Sequence, residues 1–228
     1  MSTITAETTL AALAVTRAGA SRVFYKYGFD FCCHGNVSLK ESCNHKGINF
    51  EMMVEEIQQE EQVLDETFDR WDEKPLGELI GHILVRFHEA HRRELPRLIE
   101  MAKKVETVHA TKSDCPHGLR DCLEQMSAEL ERHMQKEERI LFPMICGGRG
   151  ALAMMPVHLM EQEHEKAGEN LARVRKLAHD FLAPDEACST WRALYFDLAE
   201  FEEELMQHIH LENNVLFPRA LGAATPSS

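Results

Sequence analysis

The residues best suited to metal chemistry occur in a motif that the chain contains twice. One copy, HMQKEERILFP, covers residues 133–143, and the second, HIHLENNVLFP, covers residues 208–218. Each copy places a glutamate four residues after a histidine, as His133 with Glu137 and His208 with Glu212. Residues four positions apart lie on one face of an α-helix, one turn from each other. Each copy therefore predicts an imidazole nitrogen and a carboxylate that can bind the same metal ion.

A further histidine precedes each copy at nearly the same distance. His88 lies 45 residues before His133, and His164 lies 44 residues before His208. Each upstream histidine is followed directly by Glu and, seven positions on, by Leu. Matched halves of this kind indicate a duplicated helix pair, in which each half carries one single histidine and one His-x-x-x-Glu pair.

Helix start and stop signals predict four long helices in the second part of the chain. We expect them at residues 75–104, 117–146, 151–182 and 186–218. The turns between them are short, which predicts antiparallel neighbours and an up-down-up-down four-helix bundle. The six His and Glu residues lie at similar distances from these turns. They are therefore expected to meet in one layer across the bundle.

The first part of the chain also contains helix signals and almost no strand signals. A helix capped by Thr8 or Thr9 is expected to continue to Gly28. Ser38 with Glu41 is a capping box for a short helix, and residues 51–69 form a further helical stretch.

The segment DEKP, residues 72–75, predicts a domain boundary because proline suits the first turn of a new helix. The fold class is therefore predicted to be all-α. A small helical N-terminal domain, residues 1–72, is expected to precede the four-helix bundle, residues 73–228.

Composition limits the partners and the compartment. The chain has 228 residues, a formal net charge of −13 and no dense Lys/Arg block, which argues against nucleic acid or an anionic membrane surface as the main partner. No apolar run approaches the ~18 residues of a transmembrane helix, and the N-terminus lacks the positive charge of a secretory signal. The seven cysteines show no C-x-x-C spacing, so neither a disulfide framework nor a standard zinc module is expected. The predicted location is the cytoplasm.

A metal explains the six residues better than chance does. Four His and two Glu buried in a bundle without metal would leave ionisable groups in a medium of low dielectric constant. Imidazole and carboxylate ligands without thiolate suit iron, manganese or zinc. Redox-active iron is the natural candidate, although spacing alone does not identify the metal. The Leu-Phe-Pro that follows each glutamate is interpreted as core packing and a helix end.

These motifs resemble those of the hemerythrin-like di-iron four-helix bundles. Hemerythrins proper carry five histidines, including a His-x-x-x-His pair, whereas this chain has His-x-x-x-Glu twice. With the segment Asp30-Phe31-Cys32-Cys33-His34-Gly35, nearly the whole chain resembles the iron–sulfur cluster repair di-iron proteins. The resemblance implies two iron ions joined by an oxo or hydroxo bridge, with Glu137 and Glu212 as bridging carboxylates. The implied iron ligands are His88, His133, Glu137, His164, His208 and Glu212. The resemblance also implies damaged iron–sulfur proteins and nitric oxide as partners and leaves a homodimer open.

Cys32 and Cys33 are the candidate catalytic residues outside the bundle. A disulfide between adjacent cysteines closes a strained ring, so a stable one is not expected. A transient redox pair, a thiolate site for iron and contact with a target protein remain open. The alternative is two small residues that pack in a loop.

Two functions fit this sequence, and neither decides whether the protein is an enzyme. In one, the bundle supplies iron to clusters damaged by nitric oxide or oxidative stress. In the other, an open di-iron site binds or reduces nitric oxide or oxygen. The cysteine segment favours repair, because a gas carrier needs only the bundle.

Overall fold

The computed structural model describes residues 3–64 and 68–222. Within those ranges every regular element is helical, apart from one isolated β-bridge between Thr9 and Ser38. The predicted all-α class is confirmed. In the same ranges no helix is both long and apolar enough to cross a membrane.

Contacts divide the chain into two compact units, each made of several segments. The first unit consists of Met1–Ile80, Met144–Val157 and Met206–Ser228. The second unit consists of Gly81–Pro143 and His158–Leu205. This division does not test the domain boundary expected between residues 72 and 73, which stays a prediction.

The first unit begins with four helices: α1 (Leu10–Thr16), α2 (Ala20–Lys26), α3 (Leu39–Lys46) and α4 (Phe50–Leu64). The single helix expected from Thr9 to Gly28 is wrong, because the chain leaves the helix at Arg17, whose φ is −123°. Gly19, with a φ of 77°, then starts α2 in a left-handed conformation that favours glycine.

Capping of α3 follows the prediction, since the Ser38 hydroxyl accepts a hydrogen bond from the Glu41 amide at 3.2 Å. The helix expected over residues 51–69 is described from Phe50 to Leu64 and is absent at residues 68–70. Its predicted part over residues 65–67 lies outside the described residues. Phe24, Phe29 and Phe31 form the centre of a hydrophobic core with the four helices.

The later helices contain wide turns that the sequence pattern did not predict. Three π-helical turns interrupt them, and we name these the first (Leu84–His88), second (Glu137–Leu141) and third (Glu212–Leu216) π turns. The α-helical segments around them are α5 (Leu76–Ile83), α6 (Glu89–Val108), α7 (Leu119–Lys136), α8 (Phe142–Cys146), α9 (Met154–Leu177), α10 (Ser189–Leu211) and α11 (Phe217–Ala220). The third predicted helix, residues 151–182, is shorter than expected. It ends because His179, Asp180 and Phe181 have positive φ values of 50°, 55° and 61°.

The second unit by itself is a four-helix bundle, and polar contacts show its order. Ion pairs join each helix to the next one in sequence, and a further ion pair joins the fourth helix to the first. The contacts are Arg92 with Glu131, Glu129 with Lys166, Arg175 with Glu202, and Arg97 with Asp197. The first and fourth helices run in opposite directions, as shown by Arg86 with Glu204 and Arg97 with Asp197. The contacts of the first helix with the second, and of the second with the third, also run in opposite directions along the chain. The predicted up-down-up-down arrangement therefore holds in this unit.

Glu129 links α7 to α9 and should make stability depend on acid pH. Burial alone would raise the pKa of its carboxyl, but hydrogen bonds from Lys166, Gln125 and Asn170 outweigh burial and lower the pKa to about 2. A lowered folded-state pKa stabilises the fold above the unfolded value, near 4.5, and this stabilisation is lost as pH falls towards 2. Glu129→Gln should therefore lower the free energy of unfolding by on the order of 1 kcal/mol at pH 7.

Urea unfolding of wild type and variant at pH 7 and at pH 3 measures this difference. We expect the gap between the two proteins to shrink at pH 3. Glu100→Gln, which changes an exposed carboxylate, is the matched control and should show no gap at either pH. An equal gap for Glu129→Gln at both pH values would contradict the assignment.

Candidate metal centre

The six predicted ligands are buried, with exposed fractions between 0 and 5%. They form two overlapping groups in which one ligand atom from each residue lies within 4.8 Å of the others. Glu137 and Glu212 belong to both groups. The groups are His88, Glu137, His208 and Glu212, and His133, Glu137, His164 and Glu212. The sequence prediction that these six side chains meet is therefore supported, while their role as ligands stays a prediction.

Helix geometry alone accounts for two of the contacts. Nε2 of His133 lies 3.3 Å from Oε1 of Glu137, and Nε2 of His208 lies 3.3 Å from Oε1 of Glu212. The two distances are equal because both pairs are separated by four residues on one helix face.

Tertiary packing accounts for the other contacts. Nε2 of His88 lies 3.4 Å from Oε2 of Glu137, whereas Nε2 of His133 faces Oε1 of the same carboxylate. One carboxylate thus faces a different histidine with each oxygen, which is the arrangement that a bridging ligand needs. Nε2 of His164 lies 3.0 Å from Nε2 of His133, so both imidazoles point to the same place.

These spacings are those expected of metal ligands. Imidazole and carboxylate bonds to a first-row metal measure ~2.1 Å, so adjacent ligands at right angles lie about 3.0 Å apart. The His–Glu and His–His separations of 3.0–3.4 Å are close to this value. The two overlapping groups therefore have the ligand types and spacing of a metal centre.

Two further glutamates bind the ring nitrogens of His88 and His133 that point away from the site. Nδ1 of His88 donates a hydrogen bond to Glu138 at 2.8 Å, and Nδ1 of His133 donates one to Glu163 at 3.0 Å. The hydrogen bond from His133 lowers the pKa of Glu163 to about 2, so this carboxylate is ionised and can only accept. A proton fixed on Nδ1 leaves the lone pair of Nε2 directed at the site.

Glu163 directly precedes His164 in sequence, but its carboxylate contacts His133 on another helix. Glu138 was not singled out, although its position directly after Glu137 was visible. Arg92 contacts Glu138 at 2.8 Å and Lys136 contacts Glu163. Each supporting carboxylate therefore has a cation of its own.

Three of the six residues lie at the ends of the π turns. His88 ends the first π turn, Glu137 begins the second, and Glu212 begins the third. A π turn widens the helix by one residue and often occurs at functional sites. Here it shifts the register of the helix at a residue that faces the site.

The Leu-Phe-Pro segments pack in the core as expected, since both Leu and both Phe side chains are buried, but they do not end the helices. The amides of Phe142 and Phe217 bond to the carbonyls of Glu137 and Glu212, five residues back, and the helices continue as α8 and α11. Proline normally breaks a helix because it has no amide proton and its ring crowds the carbonyl four residues before it. The wide turn directly before the proline removes that conflict.

The cysteine segment is held by hydrogen bonds within the first unit. Oδ1 of Asp30 accepts from the amides of Cys33 and His34 at 2.9 and 3.3 Å. Asn213 and Asn214, in the third π turn, donate to the carbonyls of Cys32 and Phe31 at 3.0 and 3.1 Å. The loop that carries the two cysteines is therefore tied to the helical turn that begins with Glu212.

Two neighbours of this loop are fixed by packing. A Cβ on Gly35 would lie 2.5 Å from the Phe31 carbonyl oxygen and 2.9 Å from Cβ of Ala11, so only glycine fits this position. His210 is buried, lies against Phe31 and contacts the Asn214 amide at 2.9 Å. Burial lowers the pKa of His210 to about 4, so the imidazole is neutral at pH 7. His210 is thus a neutral residue of the core.

Comparison with known proteins agrees with the helical fold and with a domain that binds a cation. Residues 79–220 match the Hemerythrin HHE cation binding domain, which defines the class of this protein. Residues 6–61, which include the cysteine segment, match ScdA_N, a domain of unknown function.

Curated relatives cover nearly the full length. The chain is 46% identical over 212 residues to the iron-sulfur cluster repair protein YtfE of Pectobacterium carotovorum, covering 93% of this chain and 96% of that protein. It is 43% identical over 217 residues to a probable iron-sulfur cluster repair protein of Haemophilus influenzae, covering 95% and 97%. The chain belongs to this hemerythrin-like family of iron–sulfur cluster repair proteins.

Metal analysis of the purified protein tests the ligand set. Because two groups share two carboxylates, we expect about two iron ions per chain and the near-ultraviolet absorption of an oxo-bridged ferric pair. Elemental analysis and the optical spectrum are the measurements. A single zinc ion per chain in protein from its native host would contradict this expectation.

Proposed function

We propose that the protein repairs iron–sulfur clusters damaged by nitric oxide or oxidative stress and that it supplies iron from the His/Glu centre. The observation that carries this proposal is the pair of overlapping ligand groups, in which Glu137 and Glu212 belong to both. The names of the relatives, which cover 93–95% of this chain, support repair as the activity. We place this activity in the cytoplasm, as the family resemblance implies.

The donor set suits iron that must be held and then released. Ferrous iron is bound less tightly by nitrogen and oxygen ligands than most later divalent metals are. Whether the site is filled with iron therefore depends on how much iron is available. A bound iron pair would supply redox chemistry and transferable metal. The chain's own part is to orient the imidazoles of His88 and His133 through Glu138 and Glu163 and to exclude water by burying the six side chains.

Nitric oxide binding or reduction is the second candidate. Each group offers four protein atoms, two fewer than the six ligands of an octahedral ion. The remaining positions suit a small molecule beside the bridge. Nitric oxide would then be either the substrate of the centre or the signal to which repair responds.

The deciding experiment compares transfer of iron with consumption of gas. Iron-loaded protein is incubated with an iron–sulfur enzyme inactivated by nitric oxide, and recovered activity and movement of labelled iron are followed. In parallel, the reduced protein is mixed with nitric oxide, and nitrous oxide is measured in a single turnover. Recovery with labelled iron in the target supports repair. Production of nitrous oxide without transfer of iron would contradict repair and would support reduction of nitric oxide as the function.

A further inference from the structure

A second group of metal-binding atoms lies in the first unit, away from the His/Glu set in sequence. It consists of Asp30, Cys32 and Cys33, whose ligand atoms lie within 4.8 Å of one another. The Sγ atoms of Cys32 and Cys33 are 3.8 Å apart, and Sγ of Cys32 lies 3.5 Å from Oδ1 of Asp30.

The distance between the sulfurs distinguishes two uses of the pair. A disulfide needs the sulfurs at about 2.05 Å, and adjacent cysteines reach this only in a strained ring. A tetrahedral metal with thiolate bonds of ~2.3 Å needs its two sulfurs about 3.8 Å apart. The observed 3.8 Å, at which the two thiols are in direct contact, matches the spacing that a shared metal ion requires and excludes a disulfide.

We propose that Cys32, Cys33 and Asp30 form a second metal site, which binds one ferrous ion in transit through two thiolates and a carboxylate. This site rests on the proposed function, since it would hold iron on its way between the His/Glu centre and a damaged cluster. Thiolates suit this step because iron–sulfur clusters are themselves held by cysteine thiolates.

The loop is preorganised for this role. Hydrogen bonds to Asp30 fix the turn that presents Cys33, and Nδ1 of His34 holds the other oxygen of Asp30 at 2.6 Å. Asn213 and Asn214 hold the carbonyl groups on the far side of the loop. Binding therefore requires little ordering of the chain, which favours affinity for a small ligand.

One side of the site is open to solvent. Cys32 is buried and Cys33 is half-buried, whereas the side chains of Asp30 and His34 are 46% and 70% exposed. A metal with three protein ligands keeps a fourth position for water or for a ligand from a target. An open position on the exposed side is what release to another protein needs.

The step balances without a change of oxidation state. One divalent ion replaces the two thiol protons, which leave to solvent, and both sulfurs become ligands. The hydrogen bond from the Cys32 thiol to Asp30 is lost, and the freed oxygen lone pair becomes the third ligand. No oxidant or reductant is consumed.

Cobalt(II) is the probe, because thiolate ligands give a cobalt charge-transfer band, whereas imidazole and carboxylate ligands do not. Full-length protein is loaded with iron, reduced with a phosphine under anaerobic conditions and titrated with cobalt. We expect a near-ultraviolet charge-transfer band in the difference spectrum against the iron-loaded protein before cobalt is added, and this band should saturate at one equivalent. Asp30→Asn should weaken binding by on the order of tenfold, as for other carboxylates that support a metal.

Four single variants separate this site from other thiols. Cys32→Ser and Cys33→Ser should each abolish the band with unchanged circular dichroism. Cys146→Ser and Cys188→Ser, which change exposed cysteines, should retain it. Absence of the band in wild type, or its persistence in Cys32→Ser, overturns the proposal. Because cobalt binding is read without a repair assay, failure here differs from failure of the proposed function.

Discussion

Replacement of Glu137 by alanine should remove most of the iron from the protein. Each oxygen of this carboxylate faces a different histidine, at 3.3 Å for His133 and 3.4 Å for His88. On the proposed assignment, loss of the side chain would remove a ligand from both metal positions at once. We expect the iron content to fall from about two ions per chain to less than about half of that, since each ion loses one of four protein ligands.

Glu212→Ala should give the same result, because Glu212 also belongs to both ligand groups. Iron content by elemental analysis and loss of the near-ultraviolet absorption are the measurements. Glu131→Ala is the matched control, since this carboxylate lies on the same helix as His133 but contacts Arg92 and Gln135. Full iron loading of both ligand variants would refute the bridging assignment.

Replacement of both Cys32 and Cys33 by serine should abolish most of the repair while iron loading stays unchanged. Serine has nearly the size of cysteine but cannot supply thiolate chemistry. The six His and Glu residues lie elsewhere in sequence, and the backbone bonds that hold residues 30–34 remain. Recovery of a nitric-oxide-inactivated iron–sulfur enzyme, measured at matched iron loading, tests the expectation.

The double change of Cys146 and Cys188 to serine is the control for loss of thiols in general. These two cysteines are exposed, so their variants should repair as wild type does. Equal recovery by wild type and by the Cys32/Cys33 variant would show that the two thiols are not needed for repair and that the cysteine segment has only a structural role. The bundle alone would then be the active part, which favours gas handling.

Point variants are a sharper test than removal of residues 1–72. Met206 packs against the core of the N-terminal helices, and Arg219 donates to the carbonyls of Trp71 and Lys74. Asn213 and Asn214 donate to the cysteine loop. Truncation would take partners from the helical turn that begins with Glu212, so we expect it to disturb iron binding as well as repair.

The sequence by itself predicted which six side chains meet and fixed the two His–Glu pairs that lie within single helices. The spacing of four residues in each His-x-x-x-Glu fixes a contact within one helix, and both copies show the same 3.3 Å separation. Short turns and the repeat determined the antiparallel order and hence a common height for His88 and His164. Local rules suffice for these features because they depend on helix period and chain connectivity.

Only the tertiary structure decided the register and the surroundings of the site. The π turns cannot be predicted from apolar periodicity, because one extra residue in a helical turn leaves the pattern on either side intact. The pairing of His88 with Glu137, and of Glu163 with His133, depends on which side chains neighbouring helices bring together. The link from Asn214 to the Phe31 carbonyl joins residues 183 positions apart, a contact that no local sequence rule specifies.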